Sequence, residues 1–136
     1  MIKILSTTKQ IKNFLGTEPL QAASLRVTMG CNLRCKQCYA VAGQKLDNEL
    51  SLKEIKKLID DLKALGALRI FFTGGEPFSR PDILEILKYA DKNNFAMYIS
   101  TNGTFVKPET IKKLKKLKHL RTFQISVDGL GKTHDK

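Results

Sequence analysis

The 136 residues carry 24 Lys and Arg against 13 Asp and Glu, a net charge of +11, with three cysteines in all. A chain of this length fits one domain with a real hydrophobic core. It has no apolar run near the roughly 18 residues of a membrane span, and Met1-Ile2-Lys3-Ile4-Leu5-Ser6 is too short a stretch for a secretory signal.

The first twenty residues hold a weak helical pattern (Ile11, Phe14, Leu15) and are expected to be an extension, 1–20, packed outside a domain spanning 21–136. Residues 25–29 alternate Leu25, Val27 and Met29 with Arg26 and Thr28, which predicts a first strand running into a cysteine-bearing loop. Ser51-Leu52-Lys53-Glu54 is a capping box. The helix it opens places Leu52, Ile55, Leu58, Ile59, Leu62 and Leu65 on one stripe, and Gly66 suits its end. Residues 68–73 are an apolar run ending at Gly74-Gly75, as expected of a parallel strand buried on both faces.

Pro81 or Asp82 opens a second helix through Ile83, Leu84, Leu87 and Ala90, stopped by Asn93-Asn94; residues 95–100 form a third strand. A third helix begins near Pro108 with Ile111, Leu114 and Leu117 toward the core, and Phe123, Ile125 and Val127 share one face of a fourth strand. Seven of the cations lie between Lys107 and Arg121. Such a run suits nucleic acid or an acidic partner, but no aromatic residues interleave it, so a solvated helix face is the favoured reading and nucleic acid is not expected.

The order βαβαβαβ predicts an α/β fold with a parallel sheet and right-handed crossovers, without internal repeat or linker. Parallel sheets of this kind put their chemistry at the carboxyl ends of the strands. The conspicuous motifs all fall there: the cysteines after strand one, Gly74-Gly75-Glu76-Pro77 after strand two, Thr101-Asn102-Gly103 after strand three and Asp128-Gly129 after strand four.

The cysteines stand in Cys31-Asn32-Leu33-Arg34-Cys35-Lys36-Gln37-Cys38-Tyr39. An odd number at tight spacing is no disulfide framework and implies reduced thiols in a cytoplasmic setting. One loop can deliver three thiolates to one centre, and an iron–sulfur cluster held by three leaves an exchangeable position. The alternatives are a zinc site of the three cysteines with His119 or His134, or redox thiols. No histidine lies at metal-ligand spacing from the loop, which disfavours zinc.

This C-x3-C-x2-C loop with a following aromatic resembles that of the radical S-adenosylmethionine (SAM) superfamily. The resemblance implies a partial (β/α) barrel in which Cys31, Cys35 and Cys38 ligate a [4Fe-4S] cluster whose open iron takes the amino and carboxylate groups of SAM. An electron donor reduces the cluster, SAM is cleaved, and a 5′-deoxyadenosyl radical abstracts hydrogen from a substrate. Thr73-Gly74-Gly75-Glu76-Pro77 resembles the family's GGE motif, with Glu76 for the SAM ammonium and Gly74 and Gly75 for backbone contacts. Ser126-Val127-Asp128-Gly129 resembles the fourth-strand stretch near the SAM ribose or carboxylate, with Gln124, Ser126 and Asp128 on one polar face while Phe123, Ile125 and Val127 pack beneath helices. Tyr39 flanks the adenine by the same analogy. Beside these roles stand ordinary ones: a strand-ending Asp-Gly turn for Asp128 and a packed aromatic for Tyr39.

Gly-Gly-Glu-Pro-Phe, Ser-Thr-Asn-Gly-Thr and Ile-Ser-Val-Asp-Gly, with His134-Asp135 soon after, look most like the peptide- and cofactor-maturing SPASM-type branch, whose substrates include peptides. The family's fifth and sixth strands have no counterpart here. That leaves a truncated catalytic portion, a half completed by a second chain, or a non-catalytic iron–sulfur or zinc-binding module acting as a partner subunit.

Overall fold

The computed structural model describes residues 20–129. The expected helical pattern at Ile11, Phe14 and Leu15 and the His134-Asp135 pair lie outside the described residues.

Four parallel strands alternate with helices. They are β1 (Ala22–Arg26), α1 (Leu52–Ala64), β2 (Arg69–Thr73), α2 (Ile83–Lys92), β3 (Ala96–Thr101), α3 (Pro108–Leu114) and β4 (Leu120–Ile125), with a 3-10 turn at Pro77–Ser79. The sheet order is β1-β2-β3-β4, so every crossover joins neighbours. This is the α/β fold with a parallel sheet that the alternation of strand and helix signals predicts, and it agrees with the partial barrel that the resemblance implies. No helix among the described residues is long and apolar enough to cross a membrane.

Local chemistry sets the helix ends. Ser51 accepts from the Glu54 amide while the Glu54 carboxylate accepts from the Ser51 amide at 2.8 Å, a complete capping box. At the other end Gly66 takes φ 84°. There Gly66 N donates to Lys63 O and Ala67 N to Leu62 O, a Schellman motif that satisfies two carbonyls left over by α1. Asn94, at φ 64°, does the same for α2, with Phe95 N on Ala90 O and Asn94 N on Asp91 O.

The helices cover one face of the sheet. Ile55, Ile59 and Leu62 of α1 and Ile83, Ile86, Leu87 and Ala90 of α2 pack with Leu25, Ile70, Phe72, Met97 and Ile99 of the strands into one core. Ile111 and Leu117 pack partly buried beside Leu114 of α3, as their spacing predicts.

The other face differs from expectation at β2. Phe71 is 40% exposed and stacks on Tyr98 with ring centroids 4.7 Å apart. Ser24, Phe71, Tyr98 and Thr122 lie in register across the sheet. This face carries no helix among the described residues, so β2 is buried on one face rather than two.

Strand boundaries also move, most clearly in β1 and β4. Regular pairing in β1 begins at Ala22, opposite Arg69, and ends at Arg26, opposite Thr73. It stops there, short of the expected Met29, because the neighbouring segment leaves extended geometry at Gly74, φ 152°. β4 ends at Ile125, and Ile125 and Val127 are 53% and 63% exposed rather than packed beneath helices. Among the described residues nothing lies beyond β4 to cover them; Phe123 alone of the three reaches the core and the Phe78 ring.

Candidate cofactor site

The cysteine loop is pinched at its base. Cys31 N donates to Gly43 O at 2.8 Å and Gly43 N to Met29 O at 2.9 Å, an isolated bridge between Gly30 and Gly43 that closes the intervening segment into a surface loop. The Arg34 guanidinium donates to the Cys31 carbonyl at 2.7 Å and braces the loop from within. Val41 sits at φ 48°, uncommon for a β-branched residue. Close by, the Ala42 amide holds the Cys38 thiol below its ordinary pKa against the upward push of burial, with help from the Ala40 and Val41 amides. A thiol held below its ordinary pKa is suited to act as a thiolate.

All three cysteines line one cavity of about 370 Å³. Its walls also include Tyr39, Gly74, Gly75, Ser100, Thr101, Asn102, Gln124, Ser126 and Asp128. The ends of β2, β3 and β4 therefore meet the cysteine loop at one place, as the strand-end rule for parallel sheets predicts. Ser126 is tied to the end of β3 through its amide, which donates to Thr101 O at 2.9 Å. Tyr39 is 80% exposed rather than packed, with the Arg26 guanidinium 5.3 Å from its ring centroid.

Gly74 and Gly75 owe their identity first to the protein itself. A Cβ on Gly74 would overlap the Thr28 carbonyl oxygen, and one on Gly75 the Gly30 carbonyl oxygen. The close approach lets Gly75 N donate to Thr28 O and Glu76 N to Gly30 O, both at 2.8 Å, which docks the end of β2 against the stem of the cysteine loop.

Glu76, expected to make the ammonium contact, ties together the ends of β2 and β3. It is fully buried. Its carboxylate accepts from Phe78 N at 2.9 Å, Thr101 Oγ1 at 2.7 Å and Asn102 N at 2.7 Å. A buried carboxylate needs several donors, and here the ends of β2 and β3 supply them.

Glu49 is a residue that sequence reasoning missed. Its Oε1 accepts from Met29 N at 2.7 Å, Thr28 Oγ1 at 2.9 Å and Leu46 N at 3.2 Å, fixing the residues just before Gly30. Burial pushes its pKa up, but the Met29 amide, the Thr28 hydroxyl and the Leu46 amide outweigh that and hold it below the usual carboxylate range. Glu49 lies in a connecting loop, where no periodicity or motif marks it.

Three thiols on one loop, all lining one cavity, fit an iron–sulfur centre by donor chemistry. Among the described residues no three His, Cys, Asp or Glu side chains already form a group that could hold a metal ion, so the thiols share a cavity wall without converging on one point. His119 is remote from them in role: its ring faces Asp91 at 3.1 Å, just before β4 at the opposite end of that strand. It does not complete a zinc site with the cysteines, and His134 lies outside the described residues.

A family model described as the radical SAM superfamily matches residues 25–136. The chain is 45% identical over 111 residues to the Fe-coproporphyrin III synthase of Methanosarcina barkeri, covering 81% of this chain and 28% of that protein. It is 35% identical over 103 residues to the mycofactocin maturase MftC of Mycobacterium tuberculosis, covering 76% of this chain and 26% of that protein. The crystal structure of Streptococcus suis SuiB bound to the precursor peptide SuiA superposes with a TM-score of 0.70 at 25% identity, over 84% of this chain and 26% of that one. The chain thus spans between a quarter and a third of the length of these relatives.

Proposed function

Because the chain belongs to the radical SAM superfamily, we propose that its cavity holds a [4Fe-4S] cluster on Cys31, Cys35 and Cys38 with SAM beside it. The chain then supplies the N-terminal, radical-generating part of an enzyme core, the domain beginning near residue 21. The observation that carries this reading is the meeting of the three cysteines with Gly74, Gly75, Ser126 and Asp128 around a single cavity. Held by these three thiolates, a reduced cluster would supply the one electron that cleaves the SAM sulfonium, the chemistry from which hydrogen abstraction would follow.

The chain's own residues orient the cosubstrate. Ser126 and Asp128 at the end of β4, with Gln124 on the same face, present polar groups for the SAM ribose or carboxylate. Tyr39 offers an exposed ring against which the adenine stacks. Gly74 and Gly75 offer backbone groups to the amino end, and the buried Glu76 acts one step back as a positioning residue for the ends of β2 and β3.

The names of the relatives, a porphyrin-forming synthase and a maturase, support a role in peptide or cofactor maturation. β4 is an edge strand with Ile125 and Val127 exposed beside it, which supports completion of the barrel by further strands, from a second chain or the same one.

Anaerobic reconstitution with iron and sulfide, then dithionite and SAM, tests the reading. Formation of 5′-deoxyadenosine that disappears in Cys35→Ala supports it. A brown cluster whose spectrum ignores SAM leaves the chain as a non-catalytic iron–sulfur module. Zinc retained without iron–sulfur absorption overturns the cluster assignment.

A further inference from the structure

The loop after β3 reaches across the cavity to the first cysteine. Asn102 Nδ2 lies 3.8 Å from Cys31 Sγ and 3.1 Å from Asn32 Oδ1. The direction of this amide is fixed by its other end. Asn102 Oδ1 accepts from Thr104 N at 3.0 Å and from Thr104 Oγ1 at 2.7 Å. A backbone amide can only donate, so the oxygen must face Thr104 and the NH2 must face the sulfur. Asn32 Nδ2 donates in turn to Thr104 Oγ1 at 2.9 Å, which closes the two loops on each other.

The backbone of Asn102 is equally constrained. Its amide donates to the buried Glu76 carboxylate at 2.7 Å, and Thr101 Oγ1, bound to the same carboxylate, accepts from Gly103 N at 3.0 Å. Buried Glu76 thus holds Asn102 from behind, and Asn102 presents a side-chain donor to Cys31. The sulfur's other donor is the Leu33 amide at 3.4 Å, inside the cysteine loop itself.

We propose that Asn102 is a positioning residue for the iron–sulfur centre: its side-chain amide donates to the Cys31 sulfur, sets the reduction potential of the bound cluster, and couples that sulfur to the end of β3. This inference rests on the cluster reading above. The physical basis is charge. Reduction adds one negative charge that spreads onto the thiolate sulfurs, and a fixed N–H aimed at one of them favours the reduced form. Removing the donor makes the cluster harder to reduce.

The test is a spectroscopically monitored redox titration of the anaerobically reconstituted chain without SAM, comparing wild type, Asn102→Ala and Asn102→Asp. Asp is close to Asn in shape and keeps an acceptor for Thr104, but replaces the donor with a charge. Both variants are expected to take up about four irons per chain. Asn102→Ala should show a more negative midpoint, by up to about tenfold in the reduction equilibrium, about 59 mV for one electron. Asn102→Asp should shift further the same way. If Asn102→Ala does not fold, as judged by circular dichroism, Asn102→Asp alone decides.

A wild-type midpoint in a fully loaded variant overturns the inference and leaves the cluster reading standing. Loss of iron from both variants at wild-type helical content overturns it too, assigning Asn102 to loop assembly alone. Failure of the wild-type chain to build a four-iron cluster removes the cluster reading itself, so the two failures are distinguished.

Discussion

Glu76 Oε1 accepts a 2.7 Å hydrogen bond from Thr101 Oγ1 in a fully buried setting, which welds the end of β2 to the end of β3 directly beneath the cavity. The carboxylate has three donors and no solvent, so it tolerates no group that donates in return.

Glu76→Gln keeps the shape but turns an amide NH2 toward at least one donor. Leaving a buried donor unmet costs about 1–3 kcal/mol. Urea unfolding should show a lower midpoint with an unchanged slope. An unchanged midpoint would mean that the network does not hold the strand ends.

Gly75→Ala is expected to destabilise by about 1–3 kcal/mol, since its Cβ meets fixed backbone at Gly30 and Met29 rather than a flexible side chain. The same shift moves the stem of the cysteine loop, so iron uptake on reconstitution should fall with stability. Full uptake at wild-type stability would show that the stem has room to give.

Glu49 carries the pH dependence of the segment before the cysteine loop. Its folded pKa is depressed from the ordinary 4.5, so its contribution is fully present above that value and is lost as pH falls through the folded pKa. Glu49→Gln retains an oxygen for the Met29 amide but no charge. The stability gap between wild type and this variant should be present near neutrality and close below the ordinary carboxylate range. A gap that stays constant on acidification would refute the assignment.

Ser51→Ala removes the N-cap acceptor of α1 and is expected to cost about 1 kcal/mol without touching the cavity. Thermal unfolding measured by circular dichroism checks the first half. Wild-type iron uptake on reconstitution checks the second.

The helices and their ends were legible because their causes are local. Ser51 and Glu54 cap within one turn, Gly66 and Asn94 supply the left-handed residue after α1 and α2, and the apolar spacing of Ile55, Ile59 and Leu62 needs only the helix period. The four strand-end motifs were legible for a related reason: alternation of strand and helix orders a parallel sheet, and a parallel sheet gathers its loops at one end. Phe71 misled because an apolar run has no letter for which side is covered; its face became apparent only from its stacking on Tyr98. Ile125 and Val127 misled in the same way at the sheet edge.

Spacing alone therefore determined that three thiols sit on one loop, that this loop follows the first strand, and that Gly74-Gly75 and Ser126-Asp128 end later strands. These are properties of neighbours along the chain. Tertiary structure decided which carboxylate faces inward: Glu76 turned to Thr101 and Asn102, Glu49 turned to Thr28 and Met29. It also decided that Asn102 reaches Cys31 across 71 residues of sequence. Hydrogen bonds between distant segments depend on where folding brings their backbones, and the residues that satisfy a buried carboxylate can be named only once that burial exists.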